Sequence, residues 1–165
     1  MPTGEPIDPG VDIGHVHLKV SDLDRALEFW RDALGFEETV RYGDQAAFLS
    51  AGGYHHHIGL NTWESKGGSP PPPGTTGLFH AAVRYPTRDA LAVALRRLLD
   101  AGIRLDGATD HGVSEALYLH DPDGNGVELY WDRPREDWPQ PEGGGDGIVM
   151  YTRPLDVQGL LALAS

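Results

Sequence analysis

Eight histidines and no cysteine set the chemistry open to this 165-residue chain. Thiolate metal sites, cysteine nucleophiles and disulfides are excluded. The imidazoles cluster instead: His15 and His17 lie two apart, and His55, His56 and His57 are consecutive. His80, His111 and His120 stand singly. One carboxylate demands an explanation beside them. Glu128 sits between Val127 and Leu129 in a run of β-formers, so it takes the face opposite to its neighbours. If Val127 and Leu129 are buried, a carboxylate on that strand is costly unless a cation or hydrogen-bond donors meet it.

The elements around Glu128 read as strand, tight turn, strand. Leu117 and Leu119 alternate with Tyr118 and His120, and Asp121-Pro-Asp-Gly-Asn-Gly126 is dense in residues that set turn dihedrals. Asp121 and Asp123 are accordingly turn formers rather than catalytic acids. Further back, residues 11–20 read as a strand placing His15, His17 and Lys19 on one face. Ser21 fits the N-cap of a helix with Asp24 in the reciprocal position, and Leu23, Ala26, Leu27, Trp30 and Leu34 recur at helical spacing up to Gly35. Residues 36–41, 46–50 and 54–61 are strand candidates.

Four consecutive prolines make residues 64–76 an extended linker. Beyond it the pattern repeats. A strand over 77–84 carries His80, and Thr87 caps a helix whose apolar stripe is Leu91, Leu95, Leu98 and Leu99. A weaker strand starts from Ile103, followed by strands at 114–120 and 127–131. Twenty residues separate His15 from Gly35, and twenty-two separate His80 from Gly102. His15 and His80 thus hold the same place in two copies of one β-α-β-β-β unit, about 11–63 and about 77–132. The tail, 133–165, makes a surface excursion and docks back through a short strand at 148–151 and a helix within 155–163.

Composition narrows the partners. The chain is long enough for one domain with a proper core. A net charge of −12 with 13 Lys and Arg argues against nucleic acid or an anionic membrane as partner. No apolar run reaches membrane-spanning length, and the first ten residues lack the pattern of a signal peptide, which makes the cytoplasm the expected location.

Two β-α-β-β-β units, a histidine on the first strand of each and Glu128 on the last strand of the second closely resemble the vicinal oxygen chelate superfamily. The resemblance covers roughly residues 11–132 and includes the Asp-Pro-Asp-Gly-Asn-Gly-Val-Glu segment. It implies an α+β fold with the units paired into a curved, half-open barrel, and a divalent metal held by His15, His80 and Glu128. Two imidazoles and one carboxylate with open positions suit non-haem Fe(II); Mn(II), Zn(II) and Ni(II) are the alternatives.

Glyoxalase I carries a further glutamate ligand on the last strand of its first unit, where this chain has Tyr54-His-His-His-Ile-Gly-Leu-Asn61. The extradiol dioxygenases carry a histidine pair there, whose second, proton-handling member matches His56, with His57 as the alternative. They also place a tyrosine ten residues before the ligand glutamate, which lands on Tyr118, and a histidine before that, for which His111 is the candidate. The resemblance is greatest to the catechol 2,3-dioxygenase subgroup. It implies a small aromatic diol and O2 as substrates, Fe(II) as cofactor, and a homodimer or higher homo-oligomer. Larger extradiol enzymes have four such units and this chain has one pair. A metal-dependent isomerase or lyase, and a metal-free binding or resistance protein of the same fold, therefore stay open.

Overall fold

The computed structural model describes residues 4–164. Two sheets of matching strand order form its frame. In the first, β1 (Val16–Lys19) runs parallel to β4 (Ile58–Asn61), followed by β3 (Ala46–Ser50) and β2 (Glu37–Tyr42), both antiparallel. In the second, β5 (Ala81–Arg84) runs parallel to β8 (Gly126–Asp132), followed by β7 (Ser114–His120) and β6 (Gly107–Asp110). The orders β1-β4-β3-β2 and β5-β8-β7-β6 are the two copies of the unit, and β9 (Arg153–Pro154) extends the second sheet at its far edge. The sheets do not close into one barrel, and the class is α+β. Residues 64–76 contain neither helix nor strand. Among the described residues, no helix is long and apolar enough to cross a membrane.

Helix α1 (Leu23–Leu27) continues without a break as a π-helical turn, Glu28–Ala33. There the Leu34 N–H reaches back five residues to the Phe29 carbonyl, at 3.0 Å. The N-cap is Asp22, not Ser21: the Asp22 carboxylate accepts from the Arg25 N–H at 3.0 Å, while the Ser21 hydroxyl is engaged by Asp123. Helix α2 (Arg88–Asp100) is capped by Thr87 as expected, but Leu99 is exposed, and Ala92 and Ala94 complete its buried stripe. Both helices and the inward residues Leu49, Leu60, Leu117, Leu119, Val127 and Leu129 share one core, with Trp30 fully buried within it. Val127 and Leu129 therefore leave Glu128 on the face turned away from the helices, which is hereafter the open face.

Several strands are shorter than their sequence pattern. The histidines lie at these ends: His15 immediately precedes β1, His80 immediately precedes β5, and His55, His56 and His57 form a bend leading into β4. The tail also differs. Residues 148–151 are not a strand; β9 lies farther on, where Arg153 pairs with Asp110 and Pro154 with Thr109. A short helix, α3 (Val157–Leu161), does dock, with Leu160 fully buried.

The second unit grips α1 directly. Asp123 Oδ1, in the turn between β7 and β8, accepts from the Ser21 hydroxyl (2.6 Å), the Ser21 N–H (3.1 Å) and the Arg25 guanidinium (2.9 Å). Trp30 Nε1 donates to Asp121 at 3.4 Å. At the other end, Arg97 of α2 donates to the carbonyls of Asp32 and Ala33, at 3.3 Å each. Removing a buried, charge-assisted acceptor strands its donors. Asp123→Ala is expected to cost about 2–3 kcal/mol, read as a lower urea midpoint at unchanged m-value.

Candidate metal centre

The β7–β8 hairpin fixes the first pair of functional side chains. Asp121 Oδ1 accepts from the N–H groups of Asp123 (3.0 Å) and Asn125 (2.8 Å), and Oδ2 accepts from the Asn125 side chain at 2.9 Å. Gly124 supplies the positive φ of +80° that the turn needs. The register this sets puts Tyr118 directly opposite Glu128, so the ten-residue spacing is a cross-strand pair. On the other side of β8, Glu128 is opposite Ala82 of β5. His80 Nε2 lies 2.9 Å from Glu128 Oε2. Gly126 makes this approach possible: a Cβ there would collide with the Phe79 carbonyl and stand 3.1 Å from His80 Cβ.

Tyr118 and His111 complete this half of the site. The Tyr118 hydroxyl is 2.7 Å from His111 Nε2 and 3.4 Å from Glu128 Oε1. Burial first, and then the neighbouring Glu128 charge, push the Tyr118 phenol up to about 12, so it is protonated at neutral pH. The loop carrying His111 is clamped on both flanks. Asp110 accepts the Gly112 N–H (2.8 Å) and two bonds from Arg133 (2.7 and 3.0 Å), and Arg133 also binds Glu115 (3.0 Å).

The first unit contributes a different surface. The rings of His15 and His56 lie 4.3 Å apart between centroids. His56 Nδ1 is 2.8 Å from His55 Nδ1, and partial burial, followed by the nearby imidazoles, lowers the His56 pKa. His57 is engaged elsewhere: its Nδ1 accepts the Ala51 N–H at 3.2 Å and meets the Ser50 hydroxyl at 3.3 Å. Phe48 is central here. Its ring is 5.0 Å from His56, 5.5 Å from His17 and 5.9 Å from Tyr42, and Trp63 is 5.6 Å from His17. Phe48, Tyr42 and Trp63 escaped the sequence reading. The signal for Phe48 was present, since it alternates with the buried Ala47 and Leu49 in β3.

Of the three expected ligands, His80 and Glu128 are brought into contact. His15 stands across a seam between the edge strands β1 and β5, lining with His80 a cavity of about 780 Å³. That cavity does not reach Glu128, Tyr118, His111 or His56. Among the described residues no three His, Asp or Glu side chains already converge as a metal cage. The residues nevertheless suit a divalent ion. His80 Nε2 and Glu128 Oε2, an imidazole and a carboxylate held 2.9 Å apart, are donors of the kinds non-haem Fe(II) takes. The other His80 nitrogen, Nδ1, is buried without a protein hydrogen-bond partner.

Comparison with known proteins gives a consistent picture. The family model described as the glyoxalase/bleomycin resistance protein/dioxygenase superfamily matches residues 12–129. The chain is 42% identical over 149 residues to a catechol-2,3-dioxygenase of Bacillus subtilis, covering 90% of this chain and 50% of that protein. It is 34% identical over 122 residues to biphenyl-2,3-diol 1,2-dioxygenase 3 of Rhodococcus globerulus, covering 73% and 63% respectively. The chain thus spans about half to two thirds of the length of these relatives. Among solved structures, a glyoxalase/dioxygenase from Nostoc punctiforme superposes with a TM-score of 0.64 at 20% identity, covering 79% of this chain and 99% of that one. A glyoxylase/bleomycin resistance protein/dioxygenase domain from Frankia sp. EAN1pec gives 0.61 at 27% identity, covering 74% and 98%.

The Asp110 clamp makes the His111 loop sensitive to acid. The Arg133 guanidinium holds the Asp110 carboxyl below its usual range, with the Gly112 N–H adding to the effect. A depressed folded-state pKa stabilises above the unfolded value of about 3.9, and that contribution fades as pH falls through the folded value. The stability gap between wild type and Asp110→Asn should therefore be full at pH 7 and shrink progressively below about pH 4, measured by denaturant unfolding across pH.

Proposed function

Because the chain belongs to the glyoxalase/bleomycin resistance protein/dioxygenase superfamily, we propose that it is an extradiol dioxygenase that opens a catechol-type ring beside the diol, with Fe(II) held by His15, His80 and Glu128. The observation that carries this reading is the cluster on β7 and β8. Glu128 contacts His80, faces Tyr118 across the hairpin, and connects through Tyr118 to His111. The names of the curated relatives, a catechol and a biphenyl-diol dioxygenase, support the substrate class. The two-histidine, one-carboxylate donor set supports the metal.

When bound by His15, His80 and Glu128, such an ion would supply the activation of the diol and triplet O2 that an aromatic ring cannot achieve directly. The chain does the rest. The phenol of Tyr118, kept protonated at neutral pH, is a hydrogen-bond partner for a substrate oxygen. His56, with its lowered pKa, is neutral at pH 7 and would take the second phenolic proton, returning it as the ring opens. His111 hydrogen-bonds the oxygen that develops charge during ring opening. The Phe48, Tyr42 and Trp63 rings offer an apolar wall for the organic part of the substrate and help exclude water. The product is a ring-opened semialdehyde.

Two measurements test this. Protein loaded anaerobically with Fe(II) should consume O2 with a panel of catechols and form a yellow ring-cleavage product. His15→Ala and Glu128→Gln should each lose more than the roughly 10- to 100-fold typical of an outer-sphere change. Tight metal binding with no O2 uptake from any diol would refute the reading in favour of an isomerase or lyase, and absence of metal binding would favour a binding protein. Separately, Gly126→Ala should drive the Phe79–His80 segment away from β8 and weaken divalent-metal affinity by roughly tenfold or more, measured by calorimetric titration.

A further inference from the structure

His111 is held on two sides, and one of them belongs to the tail. Its Nε2 meets the Tyr118 hydroxyl at 2.7 Å, and its Nδ1 lies 3.0 Å from the main-chain carbonyl oxygen of Tyr151. A carbonyl oxygen only accepts, so Nδ1 must carry the proton in that bond. In the neutral ring this leaves Nε2 bare, and a bare Nε2 at 2.7 Å from a hydroxyl accepts the hydroxyl proton.

The segment that delivers this carbonyl is anchored at several points. The Tyr151 N–H donates to the His111 carbonyl at 3.2 Å, and the Arg133 N–H donates to the Val113 carbonyl at 2.8 Å. Trp138 Nε1 donates to the Arg133 carbonyl at 2.8 Å, and the Arg153 guanidinium lies 3.9 Å from the Tyr151 ring centroid. Gly112, at φ +80°, lets the chain come this close. A Cβ there would stand 2.6 Å from Pro139 and 2.7 Å from the Tyr151 ring. Residues 133–154 therefore form a strap over the His111 loop.

We propose that the Tyr151 main-chain carbonyl is a positioning group that fixes His111 as its Nδ1–H tautomer, so that Nε2 accepts the Tyr118 proton. Tyr118 has a single proton to donate. Directed to His111, it is withheld from Glu128 Oε1, which lies at the longer 3.4 Å. The carboxylate keeps its lone pairs for the side where His80 lies, and the Tyr118 oxygen turns its own lone pairs toward a substrate hydroxyl. His111 is thereby an acceptor in the resting state and becomes a donor to substrate only once the Tyr118 proton has passed to Nε2, the substrate hydroxyl facing Tyr118 replacing it. The tautomer stands on the geometry alone; its catalytic consequence rests on the dioxygenase reading above.

The test uses 15N-labelled, metal-free full-length protein well above the ordinary histidine pKa, with long-range 1H–15N spectra to identify the protonated nitrogen. His111→Gln assigns the signals. Wild type should show His111 with Nδ1 protonated and Nε2 bare. Tyr151→Ala and Gly112→Ala, which loosen the strap at two places, should give a mixture of tautomers, while Tyr151→Phe retains the wild-type form. In the iron-loaded protein, Tyr151→Ala should lower kcat by up to roughly 100-fold with little change in KM. A wild-type His111 protonated at Nε2, or a tautomer indifferent to Tyr151→Ala, overturns the proposal. The expected tautomers without turnover of any diol would overturn the dioxygenase reading and leave the positioning of His111 standing.

Discussion

The second unit grips helix α1 at both ends, and the placement of both sheets follows from that grip. Asp123 places a carboxylate at the N-terminal end of α1 and Arg97 a guanidinium at the C-terminal end, the signs that a helix dipole favours at each. Trp30 fills the core between them, with Nε1 turned to Asp121. These bonds run between residues 64 to 102 positions apart. They hold two sheets that share no strand pairing. The same turn that supplies Asp121 and Asp123 also sets the β7–β8 register, and so decides that Tyr118 faces Glu128. Fold stability and site geometry therefore share one short segment.

The two units divide the work unequally despite their matching strand order. The second holds the polar machinery, with Glu128, His80, Tyr118 and His111 joined by contacts of 2.7–3.4 Å. The first holds rings: His15, His17, Phe48 and His56, with Tyr42 and Trp63 at the margin. The open face of a sheet has no helix to pack against, so exposed aromatic side chains there need another occupant or solvent.

The tail adds a layer outside the repeat. The family match ends at residue 129, yet the strap that reaches His111 comes from Arg133 onward and ends in β9, which pairs with the strand leading into the His111 loop. The Arg133–Asp110–Glu115 ion network, continued by Arg88 to Glu115 at 2.8 Å, fastens the strap to the sheet and to α2. Charges so placed are costly to bury, and each here meets an opposite partner. The second unit thus commits much of its polar interior to holding one loop.

Local pattern in the sequence set the elements and the repeat. Period-two alternation set the inward and outward faces of β7 and β8, and helical spacing set the buried stripe of α1, because both patterns record a local choice between core and water. It also determined that Glu128 must leave the core, since Val127 and Leu129 enter it. Contacts between residues distant in the chain settled the rest. Ser21 lost its capping role because Asp123, distant in sequence, took its hydroxyl. The Tyr54–His57 stretch left the strand, so His56 turned toward His15 and His57 toward Ser50. The tail strand settled at Arg153 rather than at 148–151, because pairing with β6 and the fit of Tyr151 over Gly112 outweighed β-propensity. A backbone carbonyl has no residue type to read, and the contact of Tyr151 with His111 exists only once the chain has folded.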